Sequence, residues 1–119
     1  MLTKHTEKKT VLILKKTKHA KTIYEQTRGL MFLKHKNFDF ALIFHFKSKS
    51  RFLNSIHMFF VFFPILAIFL DENKIVVDKK ILKPFYPFYT PKRPCKYLIE
   101  LPQKYNNKIA IGNKLNWSK

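Results

Sequence analysis

Cysteine, glycine, arginine and acidic residues are all scarce in this chain. A single cysteine, Cys95, excludes an intramolecular disulfide and a thiolate metal cluster, and suits a reducing cytoplasm. Two glycines, Gly29 and Gly112, exclude a glycine-rich phosphate loop and leave most tight turns to Asn, Asp and Pro. Acidic residues number 7 against 24 Lys and Arg, for a formal net charge of +17. The adjacent carboxylates Asp71 and Glu72 fall in a turn, where solvent leaves such groups unperturbed and ill suited to paired acid–base work. Only Arg28, Arg51 and Arg93 are arginines, whereas nucleic-acid readers lean on Arg for two-pronged contacts to phosphate and guanine. The excess of lysine therefore signals capacity for polyanions, and fits a coding bias towards A-rich codons equally well.

Long apolar runs are also missing, with one partial exception. "MFFVFFPILAIFL", Met58 to Leu70, would cover only ~20 Å as a helix, and a membrane span needs ~20 apolar residues. Charged and polar residues close both ends, and Pro64 would break a helix at its middle. Its Phe, Ile and Val content favours buried strands. The N-terminal stretch holds just four consecutive apolar residues, Val11 to Leu14, short of the ~7–15 that a secretory leader requires. We expect no transmembrane segment and a cytoplasmic location.

What the chain does have is burial capacity. Its 119 residues suffice for one domain, 46% are hydrophobic, and 13 are Phe. Strands are expected over Lys9–Lys15, Asp39–Phe46, Ser55–Phe63 and Ile65–Leu70, with a bulge or edge at Pro64. Phe40, Leu42, Phe44 and Phe46 share one face by strand parity. "LDENKIVVD" reads as a hairpin. Lys83–Pro94, with four prolines, is an ordered loop. "CKYLIELP" from Cys95 is another strand, and the segment ending at Trp117 gives a helical turn and a closing strand. Ala20–Met31 reads as a helix ending near Gly29. The expected product is a mostly β (α+β) single domain over residues 1–119. It would be a barrel-like or strongly twisted antiparallel sheet with one or two short helices, and residues 1–8 would form a loosely ordered basic tail.

"TRGLMF" (Thr27–Phe32), "IHMFFVFFPILAIFLDENKIV" (Ile56–Val76), "LKP" (Leu82–Pro84) and "YLIELP" (Tyr97–Pro102) occur in this order. Together they resemble the uncharacterised family known as domain of unknown function 192, or UPF0127. The resemblance covers about residues 10 to 117. It implies a small, mostly β, barrel-like domain without an established activity, and marks Gly29, Leu30, Met31, Met58, Pro64 and Glu100 as structural motif positions. Two departures stand out. Where relatives usually have an Asp two residues after the hairpin proline, this chain has Leu66. Their glycine–aspartate near the C-terminus is here Gly112 and Asn113.

No catalytic set emerges. Arg28 offers an anion clamp, or a structural partner for Glu100, whose charge between Ile99 and Leu101 would be costly unpaired. His45, His57 and Cys95 would need three long-range coincidences to form a metal site, so we expect no metal and no cofactor. Lys92, Arg93 and Lys96 flank Cys95 and favour its thiolate, yet no base or oxyanion donor accompanies it, which leaves an exposed bystander thiol. The resulting expectation is a non-enzymatic binding or accessory domain whose basic surface meets an anionic partner such as nucleic acid. The alternative is a small enzyme or ligand pocket near Arg28 and His57. Ligand-binding candidates are Arg28, His57, Lys83 and Lys96.

Overall fold

The computed structural model describes residues 1–6, 9–20, 30–46, 61–86 and 89–117. These hold eight strands: β1 (Leu2–His5), β2 (Thr10–Leu14), β3 (Thr17–Ala20), β4 (Ala41–His45), β5 (Ile65–Leu70), β6 (Val76–Leu82), β7 (Tyr97–Pro102) and β8 (Lys114–Trp117). Two 3₁₀ turns, His35–Asn37 and Gln103–Lys108, complete the described regular structure. The strands form a five-stranded sheet in the order β3-β4-β7-β5-β6 and a three-stranded sheet in the order β2-β1-β8. The domain is mostly β, and its two sheets do not close into a barrel.

The apolar run supplies the centre. All six residues of β5, "ILAIFL", are buried, because β6 and β7 flank the strand and both faces are covered. Alternate residues divide between those faces. One face carries Leu42, Phe44, Ile65, Ala67, Phe69, Leu82 and Leu98, covered by Leu30, Phe38, Phe40, Phe63 and Cys95. The other carries Ala41, Ile43, Leu66, Ile68, Leu70, Ile99 and Leu101, packed on Leu2, Ile13, Leu115 and Trp117 of the small sheet and on Ile109. Phe40, Leu42, Phe44 and Phe46 do share one buried cluster.

The hairpin at "LDENKIVVD" is built by Asp71. Its Oδ1 accepts the amides of Asn73 (2.8 Å) and Ile75 (3.0 Å), while Lys74 takes the left-handed conformation at φ 62°. One aspartate thus satisfies two donors that the turn withdraws from the ladder.

Several expectations change. Residues Leu2–His5 are no loose tail: β1 is the middle strand of the small sheet, paired with β2 and β8, and Leu2 is wholly buried. The larger sheet is not purely antiparallel, because β3 pairs with β4 in parallel, Thr17 opposite Ala41 through Ala20 opposite Phe44. Residues 61–63 are not a strand. Pro64 has no amide hydrogen to give a ladder, and β5 starts just after it. The bulge lies instead between Phe69 and Leu70. Of the Ala20–Met31 helix, Ala20 belongs to β3 and Leu30 and Met31 lie in a turn. Residues 21–29 and 55–60 lie outside the described residues. Cys95 is buried, so the expected exposed thiol is corrected: it packs into the aromatic cluster that includes Phe69 and Leu98.

Candidate anion-binding surface

The chain carries 24 Lys and Arg against 7 Asp and Glu, and the fold buries two of those carboxylates, Asp78 and Glu100. Asp78 is fully buried; its Oδ2 accepts the Tyr89 hydroxyl at 2.6 Å and the Lys92 amide at 3.0 Å. Burial first, then that hydrogen bond, raises the Tyr89 phenol above its ordinary pKa. This contact ties the proline-rich loop to β6. Glu100 is 5% exposed, on the same face of β7 as Leu98 by strand parity. Its Oε1 has no hydrogen-bond partner among the described residues, and desolvation pushes its carboxyl up to about 8. Asp71 is spent on its own turn. Asp39 pairs with Lys16 at 3.1 Å, with both side chains more than 60% exposed, a geometry that contributes little.

The basic side chains sort by what holds them. Lys79 Nζ donates to the carbonyls of Asn106 (3.1 Å) and Ile109 (2.8 Å), and Lys4 Nζ donates to the Lys108 carbonyl at 2.8 Å. These lysines fasten the Gln103–Lys108 turn to the strands. Lys104 and Lys108 lie over the Tyr105 ring at 5.4 and 5.5 Å. Others point outward without such a carbonyl anchor, among them Lys114 and Lys80.

One open concavity, of about 510 Å³, lies where the β5–β6 turn meets the small sheet; His5, Asn73, Lys74, Lys114 and Asn116 line it, with Glu72 as its single acid. Antiparallel register puts His5 opposite Lys114 and Thr3 opposite Asn116. These residues alternate with Leu2, Leu115 and Trp117, which face the core, so the outer face of the small sheet is the polar one. Lys74 is fixed at the rim: its Nζ donates to Asn116 Oδ1 at 3.2 Å and stands 4.4 Å from the Trp117 ring centre. Fixed polar donors around an open cavity suit an oxyanion, and the turn that places Lys74 is the one Asp71 builds.

The sequence candidates are not gathered here. Lys83 is exposed just beyond β6. Lys96 is half-buried, and its backbone binds the Leu70 carbonyl and the Phe46 amide. Because Ile65 pairs with Leu82 and Leu70 with Tyr97, these two lysines lie at opposite ends of β5, on the order of 17 Å apart at ~3.3 Å per residue. Arg28, His57, Gly29 and Met58 lie outside the described residues. Leu30 is buried, Met31 and Pro64 are half-buried, and Glu100 is buried as its apolar neighbours implied. The pairing of β1 with β8 brings His5 and Lys114 together, and Lys74 joins them through the bridge between Ile75 and Lys114; no local pattern in the sequence marks the three.

Residues 3–117 match the model of DUF192, described as "Uncharacterized ACR". The chain belongs to this family. It is 41% identical over 105 residues to a UPF0127 protein of Thermococcus sibiricus, covering 86% of this chain and 66% of that relative. A UPF0127 protein of Pyrococcus furiosus is 40% identical over 93 residues, covering 76% of this chain and 77% of that protein. Among solved structures, a protein of unknown function from Novosphingobium aromaticivorans superposes with a TM-score of 0.78 at 18% identity, over 98% of this chain and 83% of that one. At that identity the likeness concerns the fold.

The family departures now have locations. Leu66 is fully buried between the two sheets, a place where an aspartate would lack solvent. At the other, Asn113 Oδ1 accepts the Ala110 amide at 2.8 Å, a role an aspartate carboxylate performs equally. Gly112 beside it has φ 94° and donates its amide to the Val76 carbonyl, a conformation that favours glycine.

Proposed function

We propose that this domain binds a polyanion, nucleic acid first among them, through the concavity lined by His5, Lys74 and Lys114. One observation carries the reading: of the five carboxylates among the described residues, two are internal and a third is spent on its own turn. Asp78 and Glu100 are buried, Asp71 caps its own turn, and the exposed acids among the described residues are Asp39, paired with Lys16, and Glu72. Positive charge left without internal partners attracts counter-ions, and a polymer of phosphates releases them on binding. A described lining with lysines and no arginine suits backbone contact better than base reading. The same reading puts the domain in the cytoplasm, where its one thiol stays reduced. No described helix is long and apolar enough to cross a membrane.

The test is binding of single-stranded and duplex oligonucleotides across a salt series. Two lysine–phosphate contacts predict an affinity loss of about 12-fold between 50 and 200 mM salt on duplex. Lys114→Glu should weaken binding and flatten that slope. Absence of binding at 50 mM salt, or a Lys114→Glu variant that binds like the parent, overturns the proposal.

A further inference from the structure

A second polar cluster lies where β3 runs parallel to β4, and it shares the Trp117 ring with Lys74 of the concavity. His19 and His45 both point to the face that meets the small sheet, since His19 is paired with Ile43 and His45 lies two residues further along β4. Their rings approach so that His19 Nδ1 and His45 Nε2 are 2.7 Å apart. Both residues are half-buried. The His45 ring is packed edge-on by Tyr97 and Trp117, at centroid distances of 5.6 and 6.5 Å, which limits how far it can swing.

Two imidazole nitrogens this close point at one shared position. In the neutral pair that position holds a proton, donated by one ring and accepted by the other. A divalent transition ion can take the same place. Zinc–nitrogen bonds of about 2.0–2.1 Å with a tetrahedral angle separate the two nitrogens by about 3.3 Å. Exchanging proton for ion therefore asks the two nitrogens to part by about 0.6 Å and the two rings to tilt until both lone pairs meet at the ion, which lies off the line joining them. The donor ring shifts its proton to its other nitrogen, so both ligands remain neutral.

We propose that His19 and His45 form a two-histidine site for a divalent transition ion of the zinc, nickel and copper class. Imidazole selects that class over magnesium or calcium, and affinity should rise towards copper(II). Among the described residues no third His, Cys, Asp or Glu completes a protein cage. Cys95 takes no part, because it is buried in the core cluster on the opposite face of the sheet.

Trp117, the only tryptophan, makes the test direct. Copper(II) chloride added to the intact chain at pH 7.5 should quench its fluorescence along a saturable one-equivalent isotherm, and zinc chloride should compete. His19→Gln and His45→Gln should each bind at least about tenfold more weakly, since the second ligand then no longer acts at high effective concentration. A His35→Gln variant should bind as the parent does. The copper spectrum of the parent by electron paramagnetic resonance should show two coupled imidazole nitrogens, whatever the stability of the variants. A non-saturating quench, unchanged affinity in the His19 and His45 variants, or fewer than two coupled nitrogens overturns the proposal.

Discussion

Glu100 sets the most distinctive property of any single residue here. Its carboxyl is lifted to about 8 by burial, so the native state keeps a proton that the unfolded chain releases near its ordinary value. The sign follows from linkage: a raised acid pKa leaves stability intact below the unfolded value and removes it as pH climbs towards the folded one. Over pH 4.5 to 8 the loss approaches about 5 kcal/mol as an upper bound. Glu100→Gln should flatten this dependence, visible as converging urea midpoints of the variant at pH 5.5 and 8.5 while those of the parent diverge. Lys74 offers a second residue-scale test. Its left-handed backbone costs roughly 1–2 kcal/mol, and its contact with Trp117 returns ~0.5–1 kcal/mol. Lys74→Gly should therefore leave the melting temperature near its starting value, yet lower polyanion affinity in the salt series.

At the scale of elements, the β5–β6 hairpin and the β5 core strand were legible, each for a physical reason. "DENK" between two β-rich runs names its own turn chemistry, and "ILAIFL" has no polar residue to place outward. The strand at "YLIELP" and the closing strand to Trp117 were equally plain. β1 and β3 were not. "LTKH" and "TKHA" are four-residue, basic segments whose strand character comes from partners far along the chain, so local pattern said nothing of it. Parallel pairing of β3 with β4 was unreadable for the same reason, and with it the meeting of His19 and His45. Two substitutions probe these elements. Asp71→Ala strips two backbone amides of their acceptor and should cost about 1–3 kcal/mol in thermal unfolding. Leu66→Asp restores the residue usual in relatives, but at a site sealed between the sheets; it should cost on the order of 3–5 kcal/mol, read by chemical denaturation. A neutral outcome there would mean that water reaches the position.

For the whole molecule, charge is the controlling quantity. A net charge of +17 on 119 residues repels itself, and the fold makes matters worse by hiding two of its seven carboxylates. Screening should relieve that repulsion. The melting temperature should rise between 20 and 300 mM sodium chloride, and rise at low salt on adding an oligonucleotide that binds the native state. Salt would then strengthen the fold while weakening the complex, a pair of opposite trends that separates surface electrostatics from specific packing.

The pairing of β1 with β8 carries one more consequence, mechanical in kind. The two strands run antiparallel, with Leu2 opposite Trp117 and His5 opposite Lys114. Leu2 and Trp117 are therefore neighbours on the same rung. Tension applied between Leu2 and Trp117 would load that rung alone, then the next, peeling the small sheet open in sequence instead of shearing all its hydrogen bonds at once. A domain built this way yields at low force, however well its buried five-stranded sheet resists heat.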